Sequence, residues 1–136
     1  MDALAIPEKM LEEMIEQANE AAPVEACGIL AGKENRVEKF YKMVNTDNSN
    51  THFTMLPEEQ FKVIKDIRSA GLKMLAIYHS HPETGARLSQ EDVRLALTPD
   101  VIYVILSLAN PGKPDIKAFE IEAGVVTATP VEIVKG

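Results

Sequence analysis

A short apolar run, Leu72 to Tyr78, stops abruptly on His79-Ser80-His81-Pro82. Gly71 precedes the run and Pro82 closes it, so it reads as a buried strand. Side chains two positions apart on a strand leave the same face. His79 and His81, two of the chain's three histidines, therefore point to one side together at the strand's end. Any fold for this chain must bury the run and still give two adjacent imidazoles something to do.

Asp92 follows His81 by eleven positions, on a segment (Ser89 to Leu97) with helical patterning. A strand end offering two imidazoles, faced by a helix offering a carboxylate, makes a three-ligand site for one zinc ion per chain. Three protein ligands leave the fourth tetrahedral position to water, the pattern of a catalytic zinc. A bare His-x-His has a plainer reading as polar residues on a solvated strand face. Three features weigh against it here: the otherwise apolar strand, the immediate Pro82, and the serine and aspartate at a helix start. Ser89-x-x-Asp92 also resembles a capping box, in which the serine accepts the Asp92 N–H and the acid reaches back. The two readings are compatible, because a capped helix start holds Ser89 and Asp92 in fixed directions.

The rest of the chain surrounds this motif with alternating elements. Pro7 suits the first position of a helix opening at Ile6-Pro7-Glu8. Met10, Leu11, Met14, Ile15, Ala18 and Ala22 recur along it at helical spacing until Pro23. Residues 25–32 and 36–44 read as a hairpin turning at Lys33-Glu34-Asn35. Asn45 to Thr51 is a polar loop and a candidate lid. A second helix is expected from Pro57 to about Ala70, with Phe61, Ile64 and Ile67 inward. Thr98-Pro99-Asp100 breaks the pattern. Val101 to Leu108 is the most apolar strand, expected to be central and covered on both faces. After the Asn110–Pro114 turn, Asp115 to Glu122 and Val125 to Val134 give two more strands. Helices interleaved with strands predict an α/β sandwich with a mixed sheet flanked by helices.

Composition narrows the function. The 136 residues suit a single domain, 1–136, with 46% hydrophobic residues for a core. A formal charge of −7 argues against nucleic acid as the main partner. The opening residues do not read as a secretory leader and no apolar run reaches membrane length, so neither leader nor span is expected, and the lone Cys27 allows no disulfide framework. A cytoplasmic protein is expected. Cys27 reads as a small buried strand residue, and His52 as a loop residue. Arg87 is a candidate contact for a substrate carboxylate.

Zinc-bound water needs a base, and a carboxylate is the usual choice. Spacing alone leaves Glu25, Glu83 and Glu91 as candidates. The motif as a whole resembles the JAMM (MPN-type) metalloprotease family: Glu25 within Pro23-x-Glu25-x-Cys27-Gly28-Ile29-Leu30, then His79-x-His81, seven residues, Ser89, two residues and Asp92. Pro82 also stands where that family has it. The resemblance implies that His79, His81 and Asp92 bind zinc with a water, that Glu25 is the general base and proton shuttle, and that Ser89 hydrogen-bonds the oxyanion. It implies a cytidine-deaminase-like three-layer fold. It further implies hydrolysis of peptide or isopeptide bonds at the C-terminal Gly-Gly tail of a ubiquitin-like or sulfur-carrier protein.

Eight residues separate Asp92 from Val101, too few for the insertions that linkage-selective eukaryotic members carry. The chain therefore resembles the compact prokaryotic form. Its substrate would be a sulfur carrier with a C-terminal cysteine or short extension, or a small modifier joined to lysines, with the first favoured. Two alternatives come from other classes. Metal-free scaffold members of the family lack zinc ligands, and this chain lacks none. A DNA-repair-associated relative has Asn between the histidines and Pro-Ser-Gly after them, where Ser80 and Glu83-Thr84-Gly85 stand here. A zinc deaminase would need a downstream Cys-x-x-Cys, which is absent.

Overall fold

The computed structural model describes residues 3–94, 100–110 and 112–135. In chain order the elements are β1 (Leu4–Pro7), α1 (Glu8–Ala21), β2 (Cys27–Lys33), β3 (Arg36–Met43), α2 (Pro57–Ser69), β4 (Lys73–His81), α3 (Gln90–Arg94), β5 (Ile102–Ser107), β6 (Asp115–Glu122), β7 (Val125–Thr129) and β8 (Val131–Val134). Among the described residues the eight strands form one mixed sheet, ordered β7-β6-β5-β4-β2-β3-β1-β8. β2 pairs antiparallel with both β3 and β4, while β4 and β5 run parallel.

Pro130 alone separates β7 from β8, yet these strands lie at opposite ends of the sheet order. The sheet must therefore curl until its two edges approach one another. Proline has no N–H to continue the ladder, so the chain leaves β6 there. The Pro130 carbonyl then accepts from Leu4 N–H at 2.9 Å, and β8 pairs with β1. The curled sheet wraps α1. Met14 and Ala18 of α1 pack with Leu4, Ile6, Leu30, Val37, Tyr78, Val104 and Leu106 in the larger core. The other face carries Cys27, Ile29 and Ala31 against Met43, Met55 and Ile67 from the α2 side.

Alternation along β4 is reset once. Leu30 pairs with Ala76 but Ala31 with Met74, so Leu75 is an extra bulged residue. Leu75 and Ala76 both join the α1 core, and Met74 and Ile77 join the other. Beyond the bulge Tyr78 enters the α1 core, while His79 stacks against Phe53 on the α2 side. At Gly28 a Cβ would lie 2.6 Å from the Phe40 ring and 2.7 Å from the Tyr41 carbonyl. Only glycine lets β2 sit this tightly between its neighbours, which brings Cys27 opposite His79.

Several expectations need correction. Leu4 to Pro7 is a strand rather than a helix opening, and α1 starts at Glu8 with Pro7 as its N-cap. Ala22 is exposed and Ala21 packs in its place. Phe61 does not face inward; it is 64% exposed, with the Lys65 ammonium 5.9 Å from its ring. The single strand expected over Val125 to Val134 is two strands serving opposite edges. β5 is an interior strand, buried from Tyr103 to Ser107, but β4 and β2 take the middle of the order. The helix expected to reach Leu97 is described only as far as Arg94; its remainder and the Thr98-Pro99 break lie outside the described residues. The hairpin, the second helix and the motif strand stand as read. Among the described residues no helix is long and apolar enough to cross a membrane.

Candidate metal centre

β4 ends at the two histidines, and both imidazoles are almost wholly buried. Their Nε2 atoms stand 3.2 Å apart. Asp92 of α3 meets them with one oxygen each: His79 Nε2 is 3.1 Å from Oδ1 and His81 Nε2 is 3.0 Å from Oδ2. The three ligand atoms lie within 4.8 Å of one another. Two imidazole nitrogens and a carboxylate converging on one point suit a divalent metal ion, which would take all three lone pairs at once.

The start of α3 fixes the carboxylate. Asp92 N–H donates to Ser89 Oγ at 3.0 Å, and Ser89 N–H donates to Asp92 Oδ2 at 2.9 Å. This is a reciprocal capping box. Ser89 Oγ acts there as acceptor, so its own O–H proton stays free to donate elsewhere. His81 Nδ1 lies 3.0 Å from the Gly85 carbonyl. A carbonyl can only accept, so Nδ1 carries a proton; Nε2 faces the Asp92 carboxylate here and would present its lone pair to a bound cation. His79 Nδ1 has no partner among the described residues. Its ring instead stacks on Phe53, with centroids 4.9 Å apart.

The site's electrostatics follow from this packing. Burial works against the charge on Asp92, but hydrogen bonds from both imidazoles and from the Ser89 N–H hold it well below the usual carboxylate range. Burial pushes His79 down despite Asp92 beside it. For His81 burial is outweighed by Asp92 and the Gly85 carbonyl, and its net displacement is upward.

Glu25 is 2% exposed, and its Oε1 has no partner. Burial pushes its carboxyl up to about 7, with His81 pulling it down and Asp92 pushing it further up. The backbone around it is tied on three sides. Glu25 N–H donates to the Ser49 carbonyl at 2.8 Å, Asn45 Nδ2 donates to the Glu25 carbonyl at 3.0 Å, and Ala26 N–H donates to Ser80 Oγ at 2.8 Å. Glu83 is exposed, and no metal-ligand cluster of the described residues includes it.

Sequence reasoning passed over Asn45, Ser49, Phe53, Ser80 and Gly85, all of which position the site. Ser80 lay in plain view between the histidines. The asparagine-rich loop was visible as polar, but its attachment to Glu25 depends on contacts made across the fold. Asn45 Nδ2 also reaches the His52 carbonyl at 3.1 Å, and His52 Nδ1 stands 2.9 Å from Asp47 Oδ2, which holds the loop together. Cys27 is fully buried, donates to the Met43 carbonyl at 3.8 Å, and has its thiol pushed up to about 12 by burial. It is a packing residue. Arg87 is exposed on the loop between the ligands.

Beside the ligands lies a cleft of about 360 Å³ that reaches His79 and Asp92, with Phe53, Met55, Ile77, Leu88 and Tyr103 along its wall. Such a cleft gives an extended chain a partly apolar path to His79 and Asp92.

Residues 7–122 match the family described as prokaryotic homologs of the JAB domain. The chain is 37% identical over 134 residues to the CysO-cysteine peptidase of Mycobacterium tuberculosis, covering 97% of this chain and 92% of that one. It is 38% identical over 104 residues to the desampylase of Pyrococcus furiosus, covering 76% of this chain and 74% of the relative. A solution structure of a Desulfitobacterium hafniense protein superposes with a TM-score of 0.90 at 42% identity, over 97% of this chain and 93% of that one. The resemblance read from the motif therefore holds: this chain belongs to the prokaryotic JAB-domain family and is a hydrolase of the JAMM/MPN kind.

Proposed function

We propose that the chain, acting as one domain in the cytoplasm, is a zinc-dependent peptidase. It hydrolyses the bond that follows the C-terminal Gly-Gly tail of a ubiquitin-like or sulfur-carrier protein. His79, His81 and Asp92 hold the zinc. When bound there, zinc supplies a Lewis acid and a water acidic enough to ionise near neutral pH.

The protein's own groups do the rest. Glu25 takes the proton from the attacking water and gives it to the departing amine. A carboxyl poised near 7 by burial can serve in both directions. Ser89 turns its free O–H toward the developing oxyanion, a donor of a kind worth about 2.7–4 kcal/mol when well placed. The cleft aligns an extended tail and sheds water from the bond to be cut. No covalent acyl-enzyme is needed.

One observation carries this reading: a buried carboxyl, Glu25, with its Oε1 unpartnered, stands in the field of a converged His79–His81–Asp92 set. A buried carboxyl oxygen without a partner costs stability, and a proton-transfer role gives a reason to keep it. Between the two substrate classes, the similarity to a protein named CysO-cysteine peptidase favours a carrier whose tail bears a C-terminal cysteine.

The test uses zinc-loaded protein with a ubiquitin-like sulfur carrier in two forms, and Glu25→Gln as the blank. One form carries a cysteine after its Gly-Gly tail; the other is joined through that tail to a lysine side chain. Mass spectrometry reads the products. Cleavage of the cysteine form is expected. Cleavage of only the lysine conjugate would reassign the enzyme as a deconjugating isopeptidase. Failure to cut either form, tested with several carriers, would overturn the substrate class.

A further inference from the structure

At the end of β5 a buried hydroxyl reaches into the loop between the two ligand-bearing elements. Ser107 is 3% exposed and pairs with His81 across β4 and β5. Its Oγ donates to the Thr84 carbonyl and accepts from Ala109 N–H at 3.2 Å, so its O–H proton is committed to the loop. Next to this junction, Leu108 N–H donates to the His81 carbonyl at 3.0 Å. The residue after Thr84 is Gly85. Its carbonyl accepts from His81 Nδ1 at 3.0 Å and from Arg87 N–H at 2.9 Å. A glycine carbonyl on an exposed turn has no side chain to anchor it: a Cβ placed at Gly85 would meet nothing within 4 Å. Among the described residues, the one side-chain bond to the Thr84–Gly85 backbone from outside the loop, His81 itself apart, is the one from Ser107.

We propose that Ser107 is a positioning residue for the metal centre. By pinning the Thr84 carbonyl it holds the Gly85 carbonyl where it accepts the Nδ1 proton of His81, and so fixes both the tautomer and the direction of His81 Nε2. Without that pin the loop can turn its carbonyl to water, and His81 is free to keep its one proton on Nε2, facing the Asp92 carboxylate, on the atom that must be bare to bind a cation. Partners of metal-bound imidazoles commonly change metal affinity 10–100-fold when removed. Ser107 stands one bond further out, so Ser107→Ala is expected at the low end, about tenfold.

The inference rests on His81 being a metal ligand, and its test separates the two ideas. Zinc affinity is measured by competition with a chromogenic chelator at one fixed pH for wild type, Ser107→Ala and Ser107→Thr. The ¹⁵N shifts of the His81 ring are recorded alongside in the zinc-free proteins, with thermal unfolding of each as a check on the fold. The expected result is a loss of about tenfold for Ser107→Ala, recovery in Ser107→Thr, and a His81 Nδ1–H held in wild type and in the threonine variant but lost or weakened in the alanine variant. Wild type that takes up zinc, with Ser107→Ala equal to it, overturns the role of Ser107. Wild type that takes up none overturns the metal reading itself. Should Ser107→Ala fail to fold, Ser107→Cys replaces it, because the thiol keeps the volume and donates weakly; affinity unchanged from wild type there also counts against the proposal.

Discussion

The two faces of the sheet are built to different rules, and β4 shows both. On the α1 face Tyr78 is fully buried and its hydroxyl donates to the Met14 carbonyl at 3.2 Å. The curled sheet encloses it with aliphatic neighbours, and Phe40 meets its ring edge-on at 5.8 Å. On the opposite face the next odd positions are His79 and His81, equally buried but both turned toward the Asp92 carboxylate. His79 Nδ1 and Glu25 Oε1 are left without partners. The first face carries the larger apolar core, although Gln17 Oε1 on α1 also lacks a partner; the other joins a smaller core to lone pairs and a carboxylate available for chemistry. Unsatisfied buried polar groups cost about 1–3 kcal/mol each, so the second face is carried by the stability of the first.

The largest effect expected from this contrast is chemical. Glu25→Gln should retain zinc and the fold yet lose about 10²–10⁴-fold in turnover, the range for a general acid–base group. Steady-state kinetics with metal analysis decides it, and wild-type turnover in the variant removes Glu25 from the mechanism. On the α1 face the same comparison predicts a different loss. Leu30→Ala, at a fully buried position of the larger core, should cost about 2–5 kcal/mol in denaturant unfolding. Turnover measured well below the melting temperature should barely change. A Leu30 variant that keeps its stability but loses activity would break the division between the faces.

A smaller effect should appear in the pH dependence of stability. The Glu25 carboxyl sits at about 7 in the folded, metal-free protein against an ordinary 4.5. Below pH 4.5 it is protonated in both folded and unfolded chains and costs nothing. Between 4.5 and 7 the unfolded chain ionises first, so folding loses stability as pH rises, and above 7 the loss is complete. Glu25→Gln removes the penalty. The metal-free variant should exceed wild type by up to about 3 kcal/mol at pH 8, with no gain at pH 4. A gain of equal size at both pH values would show that Glu25 is not held in its raised state.

Much of this architecture could be read directly, for reasons that are local. The strand ending at His81 is a short apolar run with clear stops, and the i, i+2 spacing alone puts both imidazoles on one face. The β2–β3 hairpin turns at Glu34, which takes a φ of 55°, and the polar Lys33-Glu34-Asn35 stretch marked the turn. What could not be read depends on distant partners. Leu4–Pro7 is four residues long and is a strand only because β8, from the far end of the sequence, and β3 lie beside it. The division at Pro130 sends two halves of one apolar segment to opposite edges, and local alternation is the same for either arrangement. Phe61 fits a helical stripe but points outward, because the helix is rotated to bury Ile67 instead. Among site residues, the three proposed ligands were legible in their spacing. Choosing Glu25 among the acids took either the family resemblance or the cross-strand bonds of Ser80, Asn45 and Ser49.

The central claim is that His79, His81 and Asp92 form one metal centre. Zinc titration of the metal-free protein by calorimetry, repeated on Asp92→Ala, tests it most directly. The account predicts one zinc per chain for wild type, with binding releasing protons because His81 is held above its ordinary value, and binding lost or reduced by orders of magnitude in Asp92→Ala. Equal affinity in the two proteins, or no uptake by wild type, would contradict it.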